Sequence, residues 1–359
     1  MVRDLWHFPR LRLAQQVIGM FDTNLSSALI FFAPRRMGKT EFLNKDIQPI
    51  AKKQGWYTFY FSFLDAGTDI QEEFVRALVE FAEKIGAIKA GLLSHIQKIG
   101  GEVAGVKGSL ELRKPELIQY NMKNIISRLA DHGNILLLMD EVQILAKNQD
   151  NERFVAGLRT ALDLYKDNVK VIFTGSSRQG LRDMFSQASA PFFHFGQNLP
   201  FPELGREFTD HLSDVFEKVT RRKLDKKILW DSFLEMEKVP QLARSLVERL
   251  ALNPDQTINE AKKQLLVDIF NDRAFVEIWG SASKLEQLLL REIAIGFEAL
   301  FSEQARTTLA KTLGIDELGV PAVQSALRVL QKKHLIGKTS DRSGYFIDDP
   351  NFKNWLQNL

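Results

Sequence analysis

Four short apolar runs, separated by amphipathic segments, constrain the fold of this 359-residue chain most strongly. Each run is too short for a helix and is rich in β-branched or aromatic residues, which is typical of buried parallel strands. The runs cover residues 27–33, 57–64, 135–139 and 169–174. Strands that alternate with helices predict a doubly wound α/β sheet.

Helices are predicted wherever apolar residues recur at intervals of three and four. In the first half of the chain this pattern covers 40–54, 70–84, 115–132 and 152–165. From residue 203 onward the pattern indicates helices alone. The last part predicts helices at 284–300, 302–313 and 320–334, then a strand pair at 336–338 and 345–347. This order of elements is typical of a winged helix.

Three units are therefore expected along the chain: an α/β core over 1–202, a helical unit over 203–283 and a winged helix over 284–359. One segment, 86–114, contains six glycines and shows weak alternation of apolar and polar residues. We predict that this segment is an amphipathic helix followed by a β-hairpin, inserted between two core helices.

The loop after the first predicted strand reads Ala-Pro-Arg-Arg-Met-Gly-Lys-Thr, and a helix is predicted directly after it. Backbone N–H groups in such a strand–loop–helix unit point into one concavity, where phosphate oxygens bind. Lys39 is expected to reach the β- and γ-phosphates, and the Thr40 hydroxyl to ligate Mg²⁺. The candidates for nucleotide contact are Ala33, Pro34, Arg35, Arg36, Met37, Gly38, Lys39, Thr40 and Glu41.

Two alternatives apply to this loop. Its first position holds Ala33, where the strictest pattern has glycine, and the single methyl group is a tolerated variant there. A chance match to the pattern is the alternative, and the strand–loop–helix context disfavours it. For Arg35 and Arg36, the alternative to nucleotide contact is that they are solvated surface charges, and this interpretation has equal weight.

An acidic pair, Asp140-Glu141, follows the third apolar run directly. Because ligands of open α/β sheets bind at the carboxyl edge, these carboxylates are expected beside the phosphate-binding loop. Asp140 is the candidate for the Mg²⁺ shell, and Glu141 for polarising the water that attacks the γ-phosphorus. The alternative is an ordinary polar cap at a strand end.

Hydroxyl groups and an arginine follow the fourth apolar run. Ser176 is the candidate for sensing the γ-phosphate, with Thr174 and Ser177 as neighbouring candidates. Arg178 is a candidate arginine finger for its own or a neighbouring subunit, and a surface salt bridge is the alternative.

Composition excludes several other kinds of site. The chain has no cysteine, which removes disulfides, thiolate nucleophiles and cysteine-ligated metals. Its six histidines show no paired helical spacing, and its net charge of +3 indicates no particular partner. No apolar run is long enough to span a membrane, and charges interrupt the N-terminal segment. We therefore expect a soluble, cytoplasmic protein without membrane contact.

The motifs APRRMGKT, ILLLMDEVQ and VIFTGSSR, a Val239-Pro240 step and a final Asp349-Pro350 together resemble the archaeal-type ATPases of the STAND class. These are relatives of AAA+ proteins and of the origin-recognition ATPases. The paired arginines before Met-Gly-Lys, Gln143 after Asp-Glu-Val, and the Asp-Pro step are the narrower marks of the resemblance.

The resemblance implies an α/β P-loop NTPase fold of the AAA+/STAND type, with a five-stranded parallel core, an all-α lid and a C-terminal winged helix. It also implies that ATP binds with Mg²⁺ between core and lid. By the same resemblance Pro240 contacts the base, with Phe8 or Arg10 as further contacts. Arg244 is a second sensor or an exposed helical arginine.

Double-stranded DNA is one partner that the winged helix predicts, through 320–345. Residues 319–359 carry six lysines and arginines against three acidic residues. The alternatives are that the winged helix packs on the core or binds a protein.

Two functions follow from the sequence. One is an ATP-hydrolysing switch or motor that acts on DNA in a replication, transposition or defence assembly. The other is a signalling or scaffold ATPase whose nucleotide state controls assembly with a protein partner or a second copy. In either case we expect loss of the γ-phosphate to release the lid and reposition the winged helix. A small-molecule kinase is disfavoured, since no acceptor lid is recognisable.

Overall fold

The computed structural model describes residues 4–66, 69–89, 114–147, 151–185, 190, 192–270, 273–339 and 344–359. Of residues 114–121, 178–179, 183, 270 and 273 it describes the backbone alone. The helix and hairpin predicted over 86–114 lie outside the described residues, apart from residues 86–89 and 114.

Five parallel strands form the central sheet, in the order β2-β3-β4-β1-β5. They are β1 Ala28–Phe32, β2 Tyr57–Ser62, β3 Ile135–Asp140, β4 Val169–Gly175 and β5 Gln197–Pro200. The first four lie where apolar runs predicted them. The pattern missed β5 because an edge strand with one covered side needs no continuous apolar run, and three of its four residues are exposed.

Helices cover both faces of this sheet. They are α1 Leu11–Asp22, α2 over 39–53, α3 Ile70–Lys84, α4 Lys114–His132, α5 Glu152–Leu164 and α6 Arg178–Phe185. Along β3, Leu137 and Met139 pack towards α3–α6, whereas Leu136 and Leu138 pack towards α1 and α2. This alternation makes a three-layer core and leaves the carboxyl edge of the sheet for the site.

Helix α2 is continuous but changes its winding, because Phe42–Ile47 forms a π-helical segment between Lys39–Glu41 and Gln48–Lys53. Asp46 lies within this segment with its side chain buried. Helix α1 was not predicted, although Ala14, Val17 and Phe21 recur at helical spacing and are buried.

Four helices form a second hydrophobic cluster after the sheet. They are α7 Arg206–Thr220, α8 Lys226–Glu235, α9 Pro240–Leu252 and α10 Ile258–Phe270. We call these helices the lid. Trp6 and Phe8 from the N-terminal segment pack against this cluster, so the start of the chain connects core and lid.

A third cluster, which we call the winged-helix cluster, contains the C-terminal elements and Phe275 of α11. The elements are α11 Arg273–Ser281, α12 Lys284–Ala294, α13 Glu303–Leu313, α14 Val320–Lys332, β6 Ile336–Lys338, β7 Tyr345–Ile347 and α15 Pro350–Gln357. Strands β6 and β7 are antiparallel and match the predicted strand pair.

Two features of this cluster differ from the sequence prediction. The helix predicted over 284–300 ends at Ala294, because Gly296 adopts φ +85° and Ile295 is 68 % exposed. Helix α15 was not predicted; Asp349 caps its first turn by accepting from the N–H groups of Asn351 and Phe352.

Within the described ranges, no helix is long and apolar enough to cross a membrane.

Candidate nucleotide-binding site

The site lies where the carboxyl ends of β1, β3 and β4 meet. These strands are neighbours in the sheet, in the order β3-β4-β1. The loop 33–40 follows β1, Asp140 ends β3, and Ser176 follows β4. The sheet thus brings the predicted loop, acidic pair and sensor together.

The loop 33–40 wraps around the side chain of Lys39. Its ammonium donates to the carbonyl oxygens of Ala33, at 2.7 Å, and Pro34, at 3.0 Å. Gly38 takes φ +87°, which glycine adopts without strain, and Lys39 begins the helix. Burial lowers the pKa of Lys39, and the nearby Glu141 and Asp140 oppose this shift.

Asp140 accepts hydrogen bonds from three surrounding hydroxyl groups. Thr40 donates to Oδ2 at 2.5 Å and Tyr60 to the same oxygen at 3.2 Å, while Thr174 donates to Oδ1. Burial and then the Asp140 charge raise the pKa of Tyr60, which keeps its hydroxyl a donor. The carboxylate is 2 % exposed, so these bonds hold it in one orientation.

Thr40 and Asp140 together fit a magnesium ion. Both offer oxygen ligands, which Mg²⁺ prefers, and their oxygens already lie within contact distance of each other. Among the described residues no group of three or more His, Cys, Asp or Glu side chains forms a self-contained metal site. Two protein ligands that leave positions for phosphate oxygens and water are the usual arrangement for Mg²⁺ beside a nucleotide.

Glu141 follows Asp140 with a left-handed backbone, φ +55°, which is uncommon outside glycine. Ser176 donates its hydroxyl to Glu141 Oε2 at 2.6 Å. Gln143, from the 3₁₀ helix Val142–Lys147, donates its amide to the same oxygen. The predicted base and the predicted sensor are therefore in direct contact.

The two loop arginines differ in environment. Arg35 is exposed, as expected of a solvated charge. Arg36 has φ +68° and donates Nη1 to Asp349 Oδ1 at 2.8 Å. Its side chain therefore binds the winged-helix cluster, while its backbone belongs to the loop.

Glu41 lies in a charged cluster next to Thr40. His7 lies between Glu41, at 3.8 Å, and Asp46, at 2.8 Å. Burial alone would lower the pKa of His7, but the contacts with Asp46 and Glu41 raise it to about 9. His7 lowers the pKa of Glu41 to about 2 against the effect of burial, with Lys45 and Arg244 adding to the shift.

Pro240 begins α9 and is buried. One turn later, Arg244 donates Nη1 to Glu41 Oε1 at 2.9 Å and lies 3.8 Å from Asp4. The lid arginine that the resemblance singled out therefore contacts α2, the helix after the loop 33–40.

The N-terminal candidates lie on different surfaces. Phe8 packs edge-on against Phe208 of the lid, with ring centroids 5.9 Å apart. Arg10 lies over the Phe201 ring, 4.3 Å from its centroid, and donates Nη2 to the Met37 carbonyl at 3.4 Å. Arg10 therefore contacts the loop directly, and Phe8 contacts the lid.

The residues after β4 divide between the site and the winged helix. Ser177 faces away from Glu141, because its hydroxyl lies 3.3 Å from Asp348 Oδ2 and 3.5 Å from His334 Nδ1. Arg178 is the first residue of α6, and its side chain lies outside the described part.

The candidate DNA-binding surface lies on α14. Val323, Leu327 and Leu330 are buried, while Gln324, Arg328 and Lys332 are exposed. Residues 340–343, between β6 and β7, lie outside the described ranges.

Sequence reasoning missed two contacts of the site. The sequence predicted only that Tyr60 lies in a buried strand. The available signal for a role in the site was its hydroxyl group, on the strand next to β3. The pairing of His7 with Asp46 joins residues 39 positions apart, and no local pattern indicates it.

No protein-family model matches the sequence, and no curated protein matches it. Solved structures do. A Walker-type ATPase of Pyrococcus abyssi is 16 % identical with a TM-score of 0.66, over 98 % of this chain and 99 % of that one. This chain has the AAA+ type of P-loop ATPase fold. The Aeropyrum pernix ORC2 protein, in ADPNP–ADP complexes, is 14 % identical with a TM-score of 0.58, over 99 % and 97 % of the chains.

Proposed function

We propose that this chain binds ATP with Mg²⁺ at the loop 33–40 and hydrolyses it. The observation that carries the proposal is the network in which Thr40, Asp140 and Thr174, from three separate segments, share hydrogen bonds. An ordinary polar cap at the end of β3 would not be buried and bonded to the residue after a phosphate-binding lysine. The fold of nucleotide-binding ATPases is consistent with this proposal.

Each candidate has a defined part. Lys39 binds the β- and γ-phosphates, and Thr40 and Asp140 hold Mg²⁺, which offsets phosphate charge when bound. Glu141 accepts a proton from a water molecule while the oxygen of that water attacks the γ-phosphorus. The bond between the γ-phosphorus and the oxygen that ADP retains breaks in the same step. Ser176 orients the reacting groups.

Two further assignments complete the site. Arg178 stabilises charge on the γ-phosphate of its own or a neighbouring subunit. Pro240 contacts the adenine from the lid, and the Arg244–Glu41 contact supports a lid that is coupled to the helix after the loop.

We further propose that the winged helix binds double-stranded DNA through 320–345, so that ATP turnover drives a nucleoprotein assembly. Exposed Gln324, Arg328 and Lys332 on α14 support this, since amide and basic groups bind base edges and phosphates.

A protein-directed switch is the second candidate. The Arg36–Asp349 and Ser177–Asp348 contacts favour it, because they join the winged-helix cluster to the loop 33–40 and to the segment after β4. In this alternative the winged helix leaves the core to meet a protein partner.

Steady-state ATP hydrolysis with and without double-stranded DNA, at two salt concentrations, distinguishes the two candidates. A DNA-directed ATPase is stimulated, and the stimulation fades at high salt because phosphate contacts weaken. Arg328→Gln should reduce the stimulation, whereas Arg128→Gln, at an exposed arginine on α4, should not. Turnover indifferent to DNA in all three proteins would support the protein switch.

A further inference from the structure

We propose that Gln143 is a positioning residue that orients the Glu141 carboxylate towards water. The proposal rests on the ATP hydrolysis proposed above. The sequence indicates Gln143 only as one mark of the family resemblance and assigns it no role. The hydrogen bonds of its side chain in the structure support the proposal.

Gln143 closes a ring of three hydrogen-bonding side chains. Its amide Nε2 donates to Glu141 Oε2 and to Ser176 Oγ, the latter at 3.2 Å. The Ser176 hydroxyl in turn donates to Glu141 Oε2 at 2.6 Å. Gln143 therefore fixes both the carboxylate and the hydroxyl group that lies against it.

The backbone around Gln143 leaves room for this side chain and little else. A Cβ atom on Gly175 would lie 2.5 Å from Gln143 Oε1, and a Cβ atom on Gly180 would lie 2.7 Å from Gln143 Cβ. Both distances are shorter than carbon and oxygen atoms tolerate. The end of β4 and the first turn of α6 thus form a slot that fits the glutamine.

The amide is buried at a cost to folding. Gln143 is 3 % exposed, and its Oε1 has no hydrogen-bond partner among the described residues. A buried carbonyl oxygen without a hydrogen-bond partner destabilises the folded state. An apolar side chain would fill the same slot without this penalty. Because an ionised carboxylate only accepts hydrogen bonds, the amide has to present Nε2 to Glu141 and leave Oε1 unpaired.

The two carboxylate oxygens of Glu141 differ in their hydrogen bonds. Both described bonds end on Oε2, and no described side chain donates to Oε1. The left-handed backbone of Glu141 turns the residue out of line with β3, and the described hydrogen bonds of its side chain are those from Gln143 and Ser176. Gln143 and Ser176 hold Oε2, and Oε1 is the oxygen that meets the water.

Gln143→Met tests this role, since methionine keeps the length of the side chain and removes the N–H donors. Gln143→Ala is a second variant in case methionine does not fit the slot. The control is Gln287→Met, because Gln287 donates to the Trp279 carbonyl at 2.8 Å within the winged-helix cluster. Positioning predicts that kcat falls about 10- to 100-fold while KM and ATP affinity stay within about threefold. The control should match the wild type.

Two further measurements separate positioning from a structural role. In a Glu141→Gln background, Gln143→Met should cause no additional loss in single-turnover hydrolysis, because it acts through Glu141. The side-chain amide resonances of ¹⁵N-labelled Gln143, assigned by their loss in Gln143→Met, should shift in Glu141→Ala. Unchanged kcat, an equal loss in the Glu141→Gln background, or an unshifted amide signal overturns the proposal.

The amide signal also separates the positioning role of Gln143 from the proposed ATP hydrolysis. If the wild-type protein hydrolyses no ATP, the proposed function fails. The shift of the Gln143 resonance on Glu141→Ala then still decides whether Gln143 holds Glu141.

Discussion

Arg36 and Asp349 form an ion pair with 2.8 Å between Nη1 and Oδ1. One partner lies in the loop 33–40 and the other caps the last helix of the chain, 313 residues later. Arg36 adopts a left-handed backbone that would be less strained for glycine. The loop therefore retains a strained residue whose side chain contacts the winged-helix cluster.

Breaking this ion pair should loosen α15 without unfolding the protein. Arg36→Gly removes the charge but relieves about 1 kcal/mol of backbone strain, so we expect an unchanged or raised Tm. Asp349→Ser removes the charge and keeps a capping oxygen. Hydrogen exchange over 350–357 should accelerate in both variants, measured by mass spectrometry. Exchange equal to that of the wild type would show that the pair does not hold α15.

The stability of the core should depend on pH through His7. Its folded pKa of about 9 exceeds the ordinary value of 6.5, so its stabilisation is complete below pH 6.5 and is lost as pH rises through 9. The Tm difference between wild type and His7→Asn should therefore shrink between pH 6.5 and 9. Because His7 is only half-buried, solvent screening reduces the effect at low pH to on the order of 2 kcal/mol.

Asp46→Asn is the control for this prediction, because Asp46 is the first group that raises the pKa of His7. In that variant the pH dependence over the same interval should flatten, although Glu41 remains opposite His7. A His7→Asn difference that stays constant from pH 6 to pH 9.5 would contradict the assignment.

The hydroxyl groups around Asp140 should determine how much Mg²⁺ the nucleotide needs. Thr174→Val keeps the shape of the side chain and removes one donor to Asp140. We expect the Mg²⁺ concentration for half-maximal ATP binding to rise about 10-fold, since such outer contacts orient metal ligands. Thr160→Val, which removes an exposed hydroxyl bonded only within α5, should leave it unchanged. Equal Mg²⁺ requirements in both variants would argue against Asp140 as a ligand.

Much of the fold follows from local sequence patterns. Buried strands give short continuous apolar runs, and amphipathic helices give apolar residues at intervals of three and four. The runs that became β1 to β4 were predicted within two residues at each end. Strand β5 was not, because its position depends on pairing with β1 at the edge of the sheet. The end of α12 depended on Gly296, whose positive φ no apolar period reveals.

The site was predictable to the extent that it depends on motifs in sequence order. The loop around Lys39 and the Asp140-Glu141 pair follow strands, so their meeting at one edge follows from parallel topology. The contacts of Arg36 with Asp349 and of His7 with Asp46 join distant segments through side-chain direction. That direction is set by tertiary packing, and no local pattern in the sequence indicates it.

We propose above that this site binds ATP and hydrolyses it with Glu141 as the base. The most direct test measures ATP binding and single-turnover hydrolysis in three proteins: wild type, Lys39→Ala and Glu141→Gln. We predict that Lys39→Ala binds no ATP, and that Glu141→Gln binds ATP as tightly as wild type but hydrolyses it at least about 100-fold more slowly. Wild-type turnover in either variant would contradict the account.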